Sequence, residues 1–158
     1  WYFPLIQRPS NNPNDPHKGQ IALPGGRYEL SDSSLQATAL REAREEIGIV
    51  AQDVEVLGSL TPLYIPFSGY LVHPLVGKLS YSPEFILEVA EVARVIEVPL
   101  KELLDKGLRK QKDMPITNRG SLKSVNYFEL QGNVVWGATA MMLSELVSIM
   151  EQHQIVQP

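Results

Sequence analysis

Three glutamates, Glu42, Glu45 and Glu46, stand at i, i+3 and i+4 in a segment whose apolar residues Leu35, Ala39, Ala43 and Ile47 recur every four positions. That period predicts a helix over residues 33–47, stopped by Gly48. On one helix the three carboxylates would lie about 5–6 Å apart at Cβ, where like charges oppose helix formation by roughly 0.2–0.5 kcal/mol per pair. They also crowd the C-terminal half, where the helix dipole disfavours an anion in the last turn by roughly 0.3–1 kcal/mol. Arg41, four residues before Glu45, can pair with it, but one guanidinium does not neutralise the cluster. A bound divalent cation accounts for the remainder, and oxygen-only ligands select magnesium or manganese. The simpler account is a solvated helix face, because glutamate is a good helix former. Gly25 and Gly26, just upstream, weigh against it: backbone can approach a metal or ligand closely where no Cβ intervenes.

The elements around this helix follow from pattern. Residues 1–7 read as a strand end, Pro9–Pro16 as a loop rich in proline, asparagine and aspartate, and Ile21–Leu23 as a short strand entering the glycine loop. Val54–Leu60 and Tyr70–Leu79 read as strands, with Pro62–Gly69 a loop between them carrying Tyr64 and Phe67, and Pro74 marking an edge or bulge. Val89–Val98 is strand-like, and a short helix from Pro99 to Gly107 has Leu100, Leu103 and Leu104 on one face. The basic run Arg109–Lys112 begins a loop, and Val125–Leu130 and Val134–Trp136 flank Gly132-Asn133 as a hairpin. Ala140, Leu143, Leu146, Val147 and Met150 mark a closing amphipathic helix. Strands interleaved with helices in this order suit an α+β sheet covered on both sides.

Composition narrows the function classes. With 158 residues, 44% of them hydrophobic, the chain reads as one domain over 1–158, able to bury a core without staples. It has no cysteine, which excludes disulfides and thiol catalysis and fits a reducing compartment. A net charge of −4 argues against a nucleic-acid backbone as the main partner, whereas a small phosphate ester remains accessible through a bridging metal. No apolar run approaches the roughly 20 residues that cross a bilayer, and no basic-then-apolar leader opens the chain. The expectation is a soluble, cytoplasmic protein with no membrane partner. The chain begins at Trp1 without a methionine, which leaves room for a preceding strand.

From Arg41 to Ile49 the chain runs Arg-Glu-Ala-Arg-Glu-Glu-Ile-Gly-Ile. With Gly26 upstream, this resembles the signature of the Nudix hydrolases: Gly, five residues, Glu, seven residues, then Arg-Glu-apolar-x-Glu-Glu-x-Gly-apolar. Asp32 stands where Glu is usual, and eight residues rather than seven separate it from Arg41. Both departures are similar to the coenzyme A pyrophosphatase branch of that family. So are His17-Lys18-Gly19-Gln20-Ile21-Ala22-Leu23-Pro24-Gly25-Gly26, Gly58–Pro66, the Glu91-Val92 pair before Val98-Pro99-Leu100, and Trp136–Met141.

The resemblance implies a Nudix-type α/β/α sandwich with a mixed β-sheet between helices. It implies that Glu42, Glu45 and Glu46 bind magnesium or manganese, joined by the carbonyl of Gly25. Glu42 or Glu45 would activate water, with Glu91 a third candidate, and Arg41 would orient a glutamate through its fixed fork. Hydrolysis of a phosphoanhydride needs a placed water and neutralised phosphorus oxygens, and a divalent cation supplies both. Arg8 and Arg27, with Lys18 beside Gly19 and Gln20, are candidate contacts to a small nucleotide substrate. Their bland alternative is ordinary surface charge. His17 and His73 are weaker candidates, Tyr64 and Phe67 could stack on an adenine, and Trp136, Met141 and Met142 read as core. For coenzyme A the products would be adenosine 3',5'-bisphosphate and 4'-phosphopantetheine. The alternatives are a Nudix hydrolase of ADP-ribose or another nucleotide, and a non-catalytic nucleotide-binding regulator. Family members often form homodimers, and no dimer surface is legible in the chain.

Overall fold

The computed structural model describes residues 1–11, 17–116 and 120–153, so most of the Pro9–Pro16 loop expected from the sequence lies outside the described residues. In chain order the elements are β1 (Tyr2–Gln7), β2 (Ile21–Ala22), α1 (Leu35–Ile47), β3 (Glu55–Ser59), β4 (Leu63–Ile65), β5 (Tyr70–Val72), β6 (Leu75–Lys78), β7 (Arg94–Pro99), α2 (Leu100–Leu104), β8 (Arg109–Ile116), β9 (Gly120–Leu130), β10 (Asn133–Val135) and α3 (Gly137–Gln152). The class is α+β. The described ladders run antiparallel and fall into four groups: β2-β1-β7, β10-β9-β8, β3-β6 and β4-β5.

Strand β1 explains the layering. Successive side chains of a strand point to opposite faces, and Leu5 and Ile6 are both essentially fully buried, in different clusters. Leu5 packs with Val98, Leu130, Ala140, Leu143 and Val147, and so against α3. Ile6 packs with Ile47, Ile49 and Val92, at the end of α1. The β1 sheet is therefore held between the carboxylate helix and the closing helix. Among the described residues, no helix is long and apolar enough to cross a membrane.

Several boundaries differ from the sequence reading. Helix α1 starts at Leu35 because Ser34 caps it, its hydroxyl accepting the Ala37 amide at 3.1 Å. The expected strand over Tyr70–Leu79 is two strands broken at His73-Pro74, and they pair with different partners, β5 with β4 and β6 with β3. Pro62–Gly69 is not wholly loop, since β4 lies within it. Val89–Val98 is strand only from Arg94; Ala90 and Glu91 form a turn. The short helix ends at Leu104, before Gly107.

The basic run Arg109–Lys112 opens strand β8 rather than a loop, because pairing with β9 gives Lys110 and Lys112 partners there and α3 gives one to Arg109. Lys110 pairs with Glu129 at 2.5 Å, Lys112 lies 4.8 Å from the Tyr127 ring centroid, and Arg109 reaches Glu151 at 2.9 Å. The β9–β10 hairpin turns on Gln131-Gly132, both at positive φ, with Asn133 already paired to Leu130. Met141, expected in the core, is 58% exposed on α3.

Candidate active site

The C-terminal end of α1 is built to hold carboxylates against a loop. Gly48 ends the helix in the left-handed region at φ 75°, its amide donating to the Arg44 carbonyl at 2.9 Å. Residues 86–88 then run beside that end: the Ile86 amide donates to the Ile47 carbonyl at 3.2 Å and the Glu88 amide to the Glu46 carbonyl at 3.1 Å. A tight turn follows, with the Glu91 and Val92 amides returning to the Glu88 carbonyl at 2.9 and 2.8 Å. Val92 is buried against Ile47, so the turn is anchored and Glu91 is delivered to α1.

The result is one cluster. Single carboxylate oxygens of Glu42, Glu46 and Glu91 all lie within 4.8 Å of one another. Glu46 is buried and accepts the Gly25 amide at 2.8 Å, which ties the glycine loop to the helix. Burial pushes the Glu46 carboxyl up to about 7; the Glu42 and Glu91 charges add to the rise, while the Gly25 amide and the Arg8 charge oppose it. Glu42 lies where a Cβ on Gly26 would stand, 2.4 Å from its carboxyl carbon, so the absent side chain at Gly26 is what seats it. Three converging oxygen donors, one of them buried, suit a hard divalent cation.

Arg41 organises the other side. Its Nε donates to Asp32 Oδ1 at 2.9 Å and an NH2 nitrogen to Asp32 Oδ2 at 3.1 Å, a two-point fork. The same NH2 donates to the Arg27 carbonyl at 2.8 Å. The remaining nitrogen lies 3.0 Å from Glu42 and 2.9 Å from Glu45. Asp32 is buried and also accepts the Glu29 amide and the Thr38 hydroxyl, at 3.0 and 2.8 Å. Its hydrogen bonds, those from Arg41 foremost, hold its carboxyl well below the usual carboxylate range.

The residues expected from the sequence are therefore distributed unevenly. Glu42 and Glu46 meet, and Glu91 joins them. Glu45 instead faces two arginines, Arg41 at 2.9 Å and Arg44 at 3.5 Å, and touches the cluster through the guanidinium it shares with Glu42. Gly25 contributes its amide to Glu46. Arg8, Gly19 and Gln20 come together by backbone pairing: the Arg8 amide donates to the Gln20 carbonyl at 3.0 Å and the Gly19 amide to the Arg8 carbonyl at 3.2 Å. His17 Nδ1 lies 3.0 Å from Gln20 Oε1. The Arg27 guanidinium lies 4.9 Å from the centroid of the Tyr70 ring. His73 is exposed at the break between β5 and β6. The sequence reading gave Asp32 and Thr38 no structural work; the matching of Asp32 to a signature acid was the available signal. Nothing in the local pattern of Tyr70 pointed to Arg27.

Comparison with known proteins shows the family. Residues 3–118 match the model of the NUDIX domain. A Photorhabdus laumondii protein described as an uncharacterized Nudix hydrolase NudL is 42% identical over 130 residues, covering 82% of this chain and 68% of that protein. Its Yersinia pestis counterpart is 40% identical over 130 residues, covering 82% of this chain and 64% of its own length. The chain thus spans about two thirds of the relatives it matches. Among solved structures, a C. elegans Ap4A hydrolase aligns with a TM-score of 0.51 at 20% identity, over 63% of this chain and 70% of that one. A MutT/nudix family protein from Enterococcus faecalis aligns with a TM-score of 0.53 at 17% identity, over 98% of this chain and 55% of that one. At these identities the likeness is one of fold.

Proposed function

The chain belongs to the Nudix family, and from that premise we propose that it is a metal-dependent pyrophosphohydrolase of nucleoside diphosphate derivatives. The observation that carries this reading is the convergence of Glu42, Glu46 and Glu91 beside a glycine loop, with Arg41 bridging to Glu45. In this reading Glu42, Glu46 and Glu91 hold magnesium or manganese, with the Gly25 carbonyl and Glu45 at the edge of the set. A cation bound there supplies charge neutralisation at the phosphorus oxygens and acidifies a water.

The chain's own residues do the rest. Glu46, buried and fixed by the Gly25 amide, is a ligand and not a proton acceptor for bulk water. Both oxygens of Glu45 are directed at arginines. Glu91 is exposed and, among the described residues, in no ion pair; one of its oxygens converges on the cluster, and the other is assigned the proton of the attacking water. Arg41 fixes Glu42 by holding Asp32 and the Arg27 carbonyl at once, which sets the distance between loop and helix. Arg8, with Gly19 and Gln20 beside it in the backbone pairing, and Arg27 are the residues assigned to the phosphate oxygens.

Coenzyme A or a derivative is the first substrate to test, cleaved to adenosine 3',5'-bisphosphate and 4'-phosphopantetheine. Support comes from the approach sequence Gly19–Gly26 and from Asp32, the shorter acid, which here reaches Arg41 by two contacts despite the longer spacing. The test is hydrolysis followed by mass spectrometry, with magnesium or manganese, on coenzyme A, ADP-ribose, dinucleotides and nucleoside triphosphates. Glu45→Gln and Glu91→Gln serve as controls. Phosphopantetheine release that falls at least a hundredfold in Glu91→Gln supports the full reading. Cleavage of another substrate alone retires coenzyme A, and full turnover in a folded Glu91→Gln variant retires the assigned base. No cleavage of any substrate turns the assignment to a nucleotide-binding regulator.

A further inference from the structure

An exposed aromatic hairpin reaches Arg27, next to the glycine pair, and has no part in the chemistry described above. Among the described residues, strands β4 and β5 pair only with each other, through Leu63↔Val72, Tyr64↔Leu71 and Ile65↔Tyr70. Since side chains alternate, Tyr64 and Leu71 share one face of this ribbon and Ile65 and Tyr70 share the other. The Tyr70 side meets Arg27. Arg27 lies 4.9 Å from the Tyr70 ring centroid, and at the hairpin's turn Phe67 packs edge-on against His17, 6.4 Å between centroids. The hairpin is thus tied both to Arg27 and to His17.

We propose that Tyr70, backed by Arg27, is the stacking platform for the heterocyclic base of the nucleoside diphosphate; this rests on the catalytic reading above. Two observations and one general preference support it. The Arg27 carbonyl accepts from Arg41 at 2.8 Å, and Arg41 lies 3.0 Å from Glu42, so one residue's backbone separates the ring's partner from the cluster's support. Tyr70 remains 43% exposed with the guanidinium over it, which leaves ring surface for a second planar group. A cation on one side of a ring and a base on the other is a favourable sandwich, and Arg27 can turn the same charge toward a phosphate. Tyr64, the residue that sequence alone offers for stacking, is on the opposite face of the ribbon.

The test is calorimetric titration with ADP and with inorganic pyrophosphate, each with magnesium, so that it reads binding and not turnover. Stacking on an aromatic ring is worth enough that Tyr70→Ala should weaken ADP roughly tenfold or more. Tyr70→Phe should restore ADP binding, Tyr64→Ala should bind ADP as the parent does, and pyrophosphate, which has no base, should bind all variants equally. Equal ADP affinity in Tyr70→Ala, a loss that follows Tyr64 instead, a parallel loss for pyrophosphate, or no binding of ADP to the parent chain would each overturn the proposal. Ring-dependent ADP binding without hydrolysis of any substrate would sink the catalytic reading and leave the platform standing.

Discussion

Arg41 grips Asp32 at two points, Nε to Oδ1 at 2.9 Å and NH2 to Oδ2 at 3.1 Å, and the nitrogen left over sits between Glu42 and Glu45. The fork makes Arg41 a fixed strut between the loop and the helix. A lysine carries the charge but not the planar fork. Arg41→Lys is therefore expected to lower kcat/KM and magnesium affinity by about 10–100-fold, the usual effect of losing a partner that orients a metal ligand. Steady-state kinetics across a magnesium series check this, and an unchanged magnesium dependence would show that Glu42 needs no such strut.

Glu46 gives the metal-free protein a pH dependence of definite sign. Its folded-state pKa is raised from 4.5 to about 7, chiefly by burial. An acid so raised costs stability once the unfolded chain ionises: the folded state is favoured below pH 4.5, and the advantage is lost as pH climbs to about 7. Urea unfolding in EDTA from pH 4 to 8 should show this decline, Glu46→Gln should flatten it, and magnesium should restore stability at neutral pH. A parent slope identical to that of Glu46→Gln would contradict the assignment.

Gly26→Ala separates site from fold. The new Cβ would stand 2.4 Å from the Glu42 carboxyl carbon, and that carboxylate, the free end of a flexible chain, can swing away. Little loss of thermal stability and a large loss of turnover are expected, since a displacement of about 1 Å in a catalytic group can cost on the order of 100-fold. Melting temperature and kcat measured on the same preparation decide the point; parental turnover would mean that Glu42 tolerates the shift.

Gly48→Ala should act on both. Gly48 has φ 75°, and a Cβ there would meet the Ile86 Cβ at 2.9 Å and its backbone nitrogen at 3.0 Å. Backbone strain of this kind costs about 1–3 kcal/mol. The segment pushed away is the one that leads to Glu91, so magnesium affinity should fall along with stability. Urea unfolding and magnesium titration test the pair; a destabilised variant that binds magnesium as before would show that Glu91 is placed independently of Ile86.

The sequence by itself settled what is local. The spacing of Glu42, Glu45 and Glu46, the stop at Gly48 and the glycine approach all follow from helix geometry and backbone freedom, which depend on neighbours within a few residues. The end of α1 stood within a residue of expectation, and its start moved only because Ser34 supplied the cap. The basic stretch Arg109–Lys112 was misread because strand formation depends on cross-strand partners, here Glu129 and Tyr127, that pattern cannot supply. Which carboxylates converge was likewise a tertiary decision. Glu91 is 45 positions beyond Glu46 in the chain and reaches it because Val92 packs on Ile47 and residues 86–88 pair with the helix end. Glu45, one residue from Glu46, is turned to Arg41, whose direction depends on the distant Asp32. Helix periodicity fixes which side chains are neighbours; only the packing of remote segments fixes which of those neighbours face each other across the site.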